Sequence, residues 1–104
     1  MRAKVGAAWS KVEEELREAG DALAGGDRGR FADELGDVLF SLVNVARLSS
    51  LDAEDVLQGA IEKFRRRFTT MEDELNARGK SVASVSPEEL ERSWDAAKAQ
   101  ERSR

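Results

Sequence analysis

The run FADELGDVLFSLVNV, residues 31–45, is apolar almost throughout yet carries Glu34 and Asp37 one helical turn apart. Phe31, Leu35, Val38, Leu39, Leu42, Val43, Val45 and the following Ala46 form one broad apolar arc, the period of a helix rather than a strand. Phe40 projects nearly opposite the centre of that arc. Apolar surface on two sides marks a central helix, or one shared with a second subunit. Glu34, Asp37, Ser41 and Asn44 occupy the polar strip that remains, where ionised carboxylates need a compensating cation or a solvated cleft. Gly36, between the two acids, costs about 1 kcal/mol relative to Ala in a helix, and would allow close helix packing or the approach of a ligand.

This helix is expected to start near Asp27 or Arg28 and to continue to about Leu48. Before it, Ala24-Gly25-Gly26-Asp27 reads as a turn. Upstream of the turn, Trp9, Val12, Leu16, Ala19 and Leu23 follow the spacing of one buried stripe, so the first helix is predicted from about Trp9 to Leu23. Glu15 flanks that stripe, Glu18 and Glu14 lie progressively further round, and Glu13 projects to the other side. Downstream, Ser49-Ser50-Leu51-Asp52 breaks the pattern, and Asp52 with Asp55 reads as a helix start. The third helix extends to about Ala77 through Leu57, Ile61, Phe64, Phe68, Met71 and Leu75, and Gly79 stops it. Lys80 to Val85 reads as a loop. Ser86-Pro87-Glu88-Glu89 then opens a short last helix, with Ser as cap and Pro at the first position. Leu90, Trp94 and Ala97 share a face of it, and the charged end after Lys98 is expected to fray.

The 104 residues, with 40% hydrophobic content and one Pro, suit a single domain spanning residues 1–104. Sparse β-branched residues and no repeat place it in the all-α class. The predicted architecture is an antiparallel helical bundle of three long helices plus one short C-terminal helix. A monomer would leave Phe40 and Trp9 poorly covered, so a homodimer is expected to complete it.

Composition removes whole classes of chemistry. The chain has no Cys, which rules out disulfides and thiolate metal sites, and no His, which rules out Ser-His and Cys-His nucleophiles and imidazole acid–base catalysis. Catalysis must rest on carboxylates, Lys, Arg, metal and water. A net charge of −4 argues against general nucleic-acid binding, although Lys63, Arg65, Arg66 and Arg67 leave a local anion site open. No stretch approaches the roughly 20 apolar residues of a membrane span and no signal-peptide core is present, so a soluble cytoplasmic protein with no membrane partner is expected.

The acids form two clusters, Glu14-Glu15-x-x-Glu18 and Glu34-x-x-Asp37. Each of the pairs Glu15/Glu18 and Glu34/Asp37 spans one helical turn and can aim its oxygens at a common point. If the first two helices pack antiparallel across Gly25-Gly26, the four carboxylates converge. Oxygen-only donors favour Mg²⁺, with Mn²⁺ as a substitute, and disfavour structural Zn²⁺. Four gathered charges make more than one cation reasonable. With 21 acids in the chain, Glu13, Glu72, Glu74 and Glu91 read as solvated surface.

The order of motifs adds to this reading. Lys11-Val12-Glu13-Glu14-Glu15-Leu16 precedes Glu34-Leu35-Gly36-Asp37-Val38-Leu39-Phe40 and Val43-Asn44-Val45-Ala46-Arg47; Lys63-Phe64-Arg65-Arg66-Arg67-Phe68 and Ser93-Trp94-Asp95-Ala96-Ala97-Lys98 follow. From about Lys11 to Lys98 the chain resembles the MazG family of nucleoside triphosphate pyrophosphohydrolases. The resemblance implies an all-α fold, Mg²⁺ dependence, and hydrolysis of a (d)NTP to the monophosphate and pyrophosphate as house-cleaning of standard or damaged nucleotides. It implies Glu15, Glu18, Glu34 and Asp37 as metal ligands, Glu14 as an auxiliary ligand or water-orienting base, and Lys63 and Arg67 as phosphate contacts. Trp94 is implied near the nucleotide, a position its Leu90/Ala97 face equally suits for core packing, and Lys98 is a further phosphate candidate. Arg65 and Arg66 point elsewhere, toward surface or dimer contacts. Ile61 stands where relatives often carry Asn, and Val5 to Ser10 keeps only a trace of the usual N-terminal lead-in. These departures motivate the alternative of a catalytically weak nucleotide- or metal-binding regulatory module, or a dimerisation module.

Overall fold

The computed structural model describes residues 2–102, and among these the chain is all-α: α1 (Arg2–Ala24), α2 (Arg28–Leu48), α3 (Ala53–Ala77) and α4 (Pro87–Arg102). It divides into two compact units, one ending at Val56 and the other beginning at Leu57. No helix among the described residues is long and apolar enough to cross a membrane.

In the first unit, α1 and α2 pack on each other across a short turn. Gly25 donates to the Asp21 carbonyl at 3.0 Å, Gly26 takes a left-handed φ of 76°, and the Asp27 side chain caps α2 by accepting from the Arg30 amide at 3.0 Å. So short a connection makes the two helices antiparallel neighbours. Helix α1 begins well before the predicted Trp9, because Ala- and Lys-containing residues 2–8 are good helix formers and Ala8 is buried.

The buried stripe of α1 also differs from the expected one. It is Ala8, Val12, Glu15, Ala19 and Ala22, a strict four-three alternation, while Trp9 (52% exposed), Leu16 (54%) and Leu23 (63%) lie one residue further round. Small residues let the helix backbones approach closely, so the narrow alanine seam wins over the bulkier stripe. Helix α2 answers with the same alternation: Phe31, Glu34, Val45 and Leu48 are half-buried, and Val38 and Ser41 are buried. Of the predicted α2 arc, Leu35, Leu39, Leu42 and Val43 are exposed, and Phe40, expected opposite that arc, is 78% exposed. A Cβ added at Gly36 would meet nothing within 4 Å, so close packing there is not its reason.

Helix α2 ends in a Schellman arrangement: Leu51 donates to the Ala46 carbonyl at 2.9 Å and Ser50 to that of Arg47 at 3.1 Å, with Ser50 at φ 58°. The Asp52 carboxylate then accepts from the Glu54 and Asp55 amides at 2.9 and 3.2 Å, which opens α3 as expected.

The core of the second unit is Met71, Leu75 and Ala97, with Phe68, Val82, Val85, Leu90 and Trp94 packed against it. Leu57, Ile61 and Phe64, on the same predicted stripe of α3, are exposed. Gly79, at φ 73°, repeats the Schellman ending, with Lys80 donating to the Leu75 carbonyl at 2.8 Å. Ser86 caps α4, accepting from the Glu89 amide at 3.2 Å. Rather than fraying after Lys98, α4 runs to Arg102, tied down near its end by Glu101.

Candidate metal centre

The alternating seams explain how the acids meet. Glu15 sits within the buried seam of α1 and Glu34 within that of α2, positions where an apolar residue would ordinarily pack. Glu18 follows Glu15 by one turn. Single carboxylate oxygens of Glu15, Glu18 and Glu34 lie within 4.8 Å of one another.

The electrostatics of the trio are unbalanced. Glu15 is only 7% exposed, and among the described residues its Oε2 and the Oε2 of Glu34 are buried with no hydrogen-bond partner. A buried, unpaired carboxylate oxygen is costly, and gathered like charges add to that cost. The Glu18 carboxyl is accordingly held above its ordinary range, first by the charge of Glu15, then by its own desolvation, then by Glu34. Orphaned buried oxygens on both helices, in a site with only oxygen donors, fit a hard divalent cation such as Mg²⁺.

Lys11 partly neutralises one edge. Its Nζ lies 3.1 Å from Glu15 Oε1 and 3.7 Å from Glu14 Oε2, and the bond to Glu15, followed by the charges of Glu14 and Glu15, holds the amine above its ordinary range. The ammonium grips one oxygen of Glu15 and leaves the other for the cluster. Sequence reading overlooked Lys11, although its i,i+4 spacing to Glu15 was available as a signal.

Asp37 is exposed and is not one of the three clustered acids. It lines an adjoining open cleft of about 290 Å³ with Lys11, Glu15, Phe40, Ser41 and Asn44. Glu14 is exposed on α1, held toward Lys11. Within the cleft wall, Ser41 donates to the Val38 carbonyl at 2.8 Å, and Asn44 Oδ1 accepts from Arg47 at 2.8 Å.

The proposed phosphate contacts belong to the second unit. Lys63 is exposed on α3. Arg67 donates from Nε to Glu101 Oε2 at 2.6 Å, while Arg66 Nη2 lies 3.4 Å from Oε1 of the same carboxylate. Trp94 packs against the core, its ring centroid 5.2 Å from that of Phe64, and Lys98 is half-buried one turn before Glu101. Nothing in the sequence flagged Glu101, which meets Arg67 only through the packing of α4 on α3.

Residues 7–71 match the MazG nucleotide pyrophosphohydrolase domain, more than half of the chain. The chain belongs to the MazG family. That segment contains the carboxylate trio, Asp37, Lys63 and Arg67. Within the family, the chain is 39% identical over 93 residues to a nucleoside triphosphate pyrophosphohydrolase of Escherichia coli (strain K12), covering 89% of this chain and 35% of the relative. It is 37% identical over 90 residues to the nucleoside triphosphate pyrophosphohydrolase/pyrophosphatase MazG of Thermotoga maritima, covering 86% and 34%. To the uncharacterized protein YabN of Bacillus subtilis (strain 168) it is 42% identical over 69 residues, covering 66% and 14%. The chain thus spans about a third of the length of the two pyrophosphohydrolases it matches.

Proposed function

We propose that this MazG domain is a Mg²⁺-dependent nucleoside triphosphate pyrophosphohydrolase, acting on a (d)NTP and water to give the (d)NMP and pyrophosphate. The observation that carries the reading is the trio of Glu15, Glu18 and Glu34, with two buried oxygens that have no hydrogen-bond partner among the described residues, in a chain of this family. Bound Mg²⁺, for which Mn²⁺ would substitute, supplies charge neutralisation to the polyphosphate and acidifies a water.

The chain's own groups divide the remaining work. Glu15, Glu18 and Glu34 hold the cation, and Asp37, one turn beyond Glu34, adds a ligand from the cleft side. Glu14 orients the attacking water and accepts its proton. Lys11 keeps Glu15 turned toward the cluster. Lys63 and Arg67 take phosphate oxygens, Lys as a point charge and Arg as a fork of donors, with Lys98 in support. The water oxygen bonds to phosphorus as the bridge between the α and β phosphates breaks, and the electron pair leaves on pyrophosphate.

A house-cleaning role on standard or damaged nucleotides, a cytoplasmic setting, and a homodimer that covers Phe40 and Trp9 complete the proposal. Residues 1–104 act in it as one functional domain.

The test is to incubate the pure chain with a panel of standard and modified (d)NTPs and Mg²⁺, identifying products. Pyrophosphate and monophosphate in equal amounts are expected. Saturable nucleotide binding with an unchanged nucleotide pool would instead favour a regulatory module without turnover.

A further inference from the structure

The Arg67–Glu101 pair is more than a surface salt bridge. The side chains of Arg67 and Glu101 are only 21% and 29% exposed, against 63% for Arg66, so their contact is partly shielded from water. One carboxylate serves two guanidinium groups, which leaves a local excess of one positive charge. The hydrogen bond from Arg67, the largest cause, holds the Glu101 carboxyl below its ordinary range.

The geometry of the bond decides what the pair does. Arg67 is held through Nε, and among the described residues its two terminal nitrogens have no hydrogen-bond or ion-pair partner. A carboxylate competing with phosphate would be expected on the terminal fork. Here it sits at the stem, fixing the plane and direction of the guanidinium while leaving the donors that match phosphate oxygens. Arg66, Arg67 and Glu101 line a cleft of about 170 Å³ with Thr70, Ala97 and Gln100. A long side chain free to sample many rotamers would lose that freedom on binding; one held in place has already lost it.

We propose that Glu101 is a positioning residue for substrate binding, holding Arg67 by Nε so that its terminal nitrogens meet the phosphates. The proposal rests on the reading of Arg67 as a phosphate contact.

Steady-state kinetics of the full chain test it. Arg67→Ala is expected to raise KM for the triphosphate roughly tenfold, and Glu101→Ala by about half as many decades, with kcat changed less than about twofold in the Glu101 variant. The double variant should match Arg67→Ala alone, because the carboxylate acts only through the arginine. Glu101→Gln, which keeps an acceptor for Nε, should recover most of the loss. An unchanged or lower KM in Glu101→Ala, or a Gln variant no better than Ala, overturns the positioning role. If Arg67→Ala itself leaves KM unchanged, it is the phosphate reading of Arg67 that has failed. Glu101 lies on the last turn of α4 and is not among the residues of the second unit's core, so its truncation is expected to open no core cavity; melting curves of each variant check this.

Discussion

Two regions of this molecule use carboxylates in opposite ways. In the α1–α2 seam, Glu15, Glu18 and Glu34 gather with too few positive partners, and Glu18 is pushed toward its protonated form. At the end of α4, Glu101 meets two guanidinium groups and is pushed toward its charged form. In the second arrangement the carboxylate is fully matched by cationic groups of the protein, with one positive charge to spare. In the first the carboxylates outnumber their cationic partner, Lys11, which is what the proposed cation would balance.

The largest effect that would break this contrast is loss of function without loss of fold. Glu15→Gln and Glu34→Gln should each lower kcat by at least about a hundredfold, since a hard-cation ligand is lost where charge must be neutralised. Stability without Mg²⁺ should stay the same or rise, because each change relieves repulsion in a buried site. Urea unfolding beside kinetics checks both halves; an equal collapse of stability would make these acids structural.

Next in size is the response to metal. At Mg²⁺ about a hundred times its dissociation constant, linkage stabilises the protein by about 2.7 kcal/mol. Melting curves with Mg²⁺ and with chelator should therefore differ for the wild type and coincide for Glu34→Gln.

A smaller effect concerns acid, with opposite signs in the two regions. Glu101 has a folded pKa below its unfolded value, so its stabilising contribution is present above that unfolded value and is lost as pH falls through the folded one. Glu18 has a raised folded pKa, so its destabilising contribution is absent below the unfolded value and grows as pH rises through the folded one. Unfolding free energy measured across mildly acidic pH without metal should lose acid sensitivity in Glu101→Gln. In Glu18→Gln the penalty toward neutral pH should disappear. The same sign of change in both variants would contradict the contrast.

The all-α class, the four helices and most of their ends were legible in the sequence because local chemistry sets them: Gly25-Gly26, the Asp52 and Ser86 caps, and Gly79 at a left-handed φ. The phase of the α1 seam was not. Trp9, Leu16 and Leu23 recur as regularly as Ala8, Glu15 and Ala22, and only the partner helix decides which stripe is buried. Glu15 and Glu18 were singled out by spacing, but that Glu15 is buried within the seam, not beside it, depends on that same choice. Glu101 was invisible, since its partner lies 34 positions earlier and no local pattern joins them.

The smallest predicted effect tests the frame that carries the site. Ser50 holds a positive φ that glycine adopts without strain, so Ser50→Gly should raise stability by up to about 1 kcal/mol and leave kinetics unchanged.

The most direct test of the metal-centre reading is phosphorus NMR of the wild-type chain with a triphosphate panel, in Mg²⁺ and in chelator. The expected result is pyrophosphate and monophosphate in equal amounts with at least one nucleotide, only when Mg²⁺ is present. Absence of pyrophosphate from every nucleotide while Mg²⁺ demonstrably binds, or release of orthophosphate instead, would contradict it.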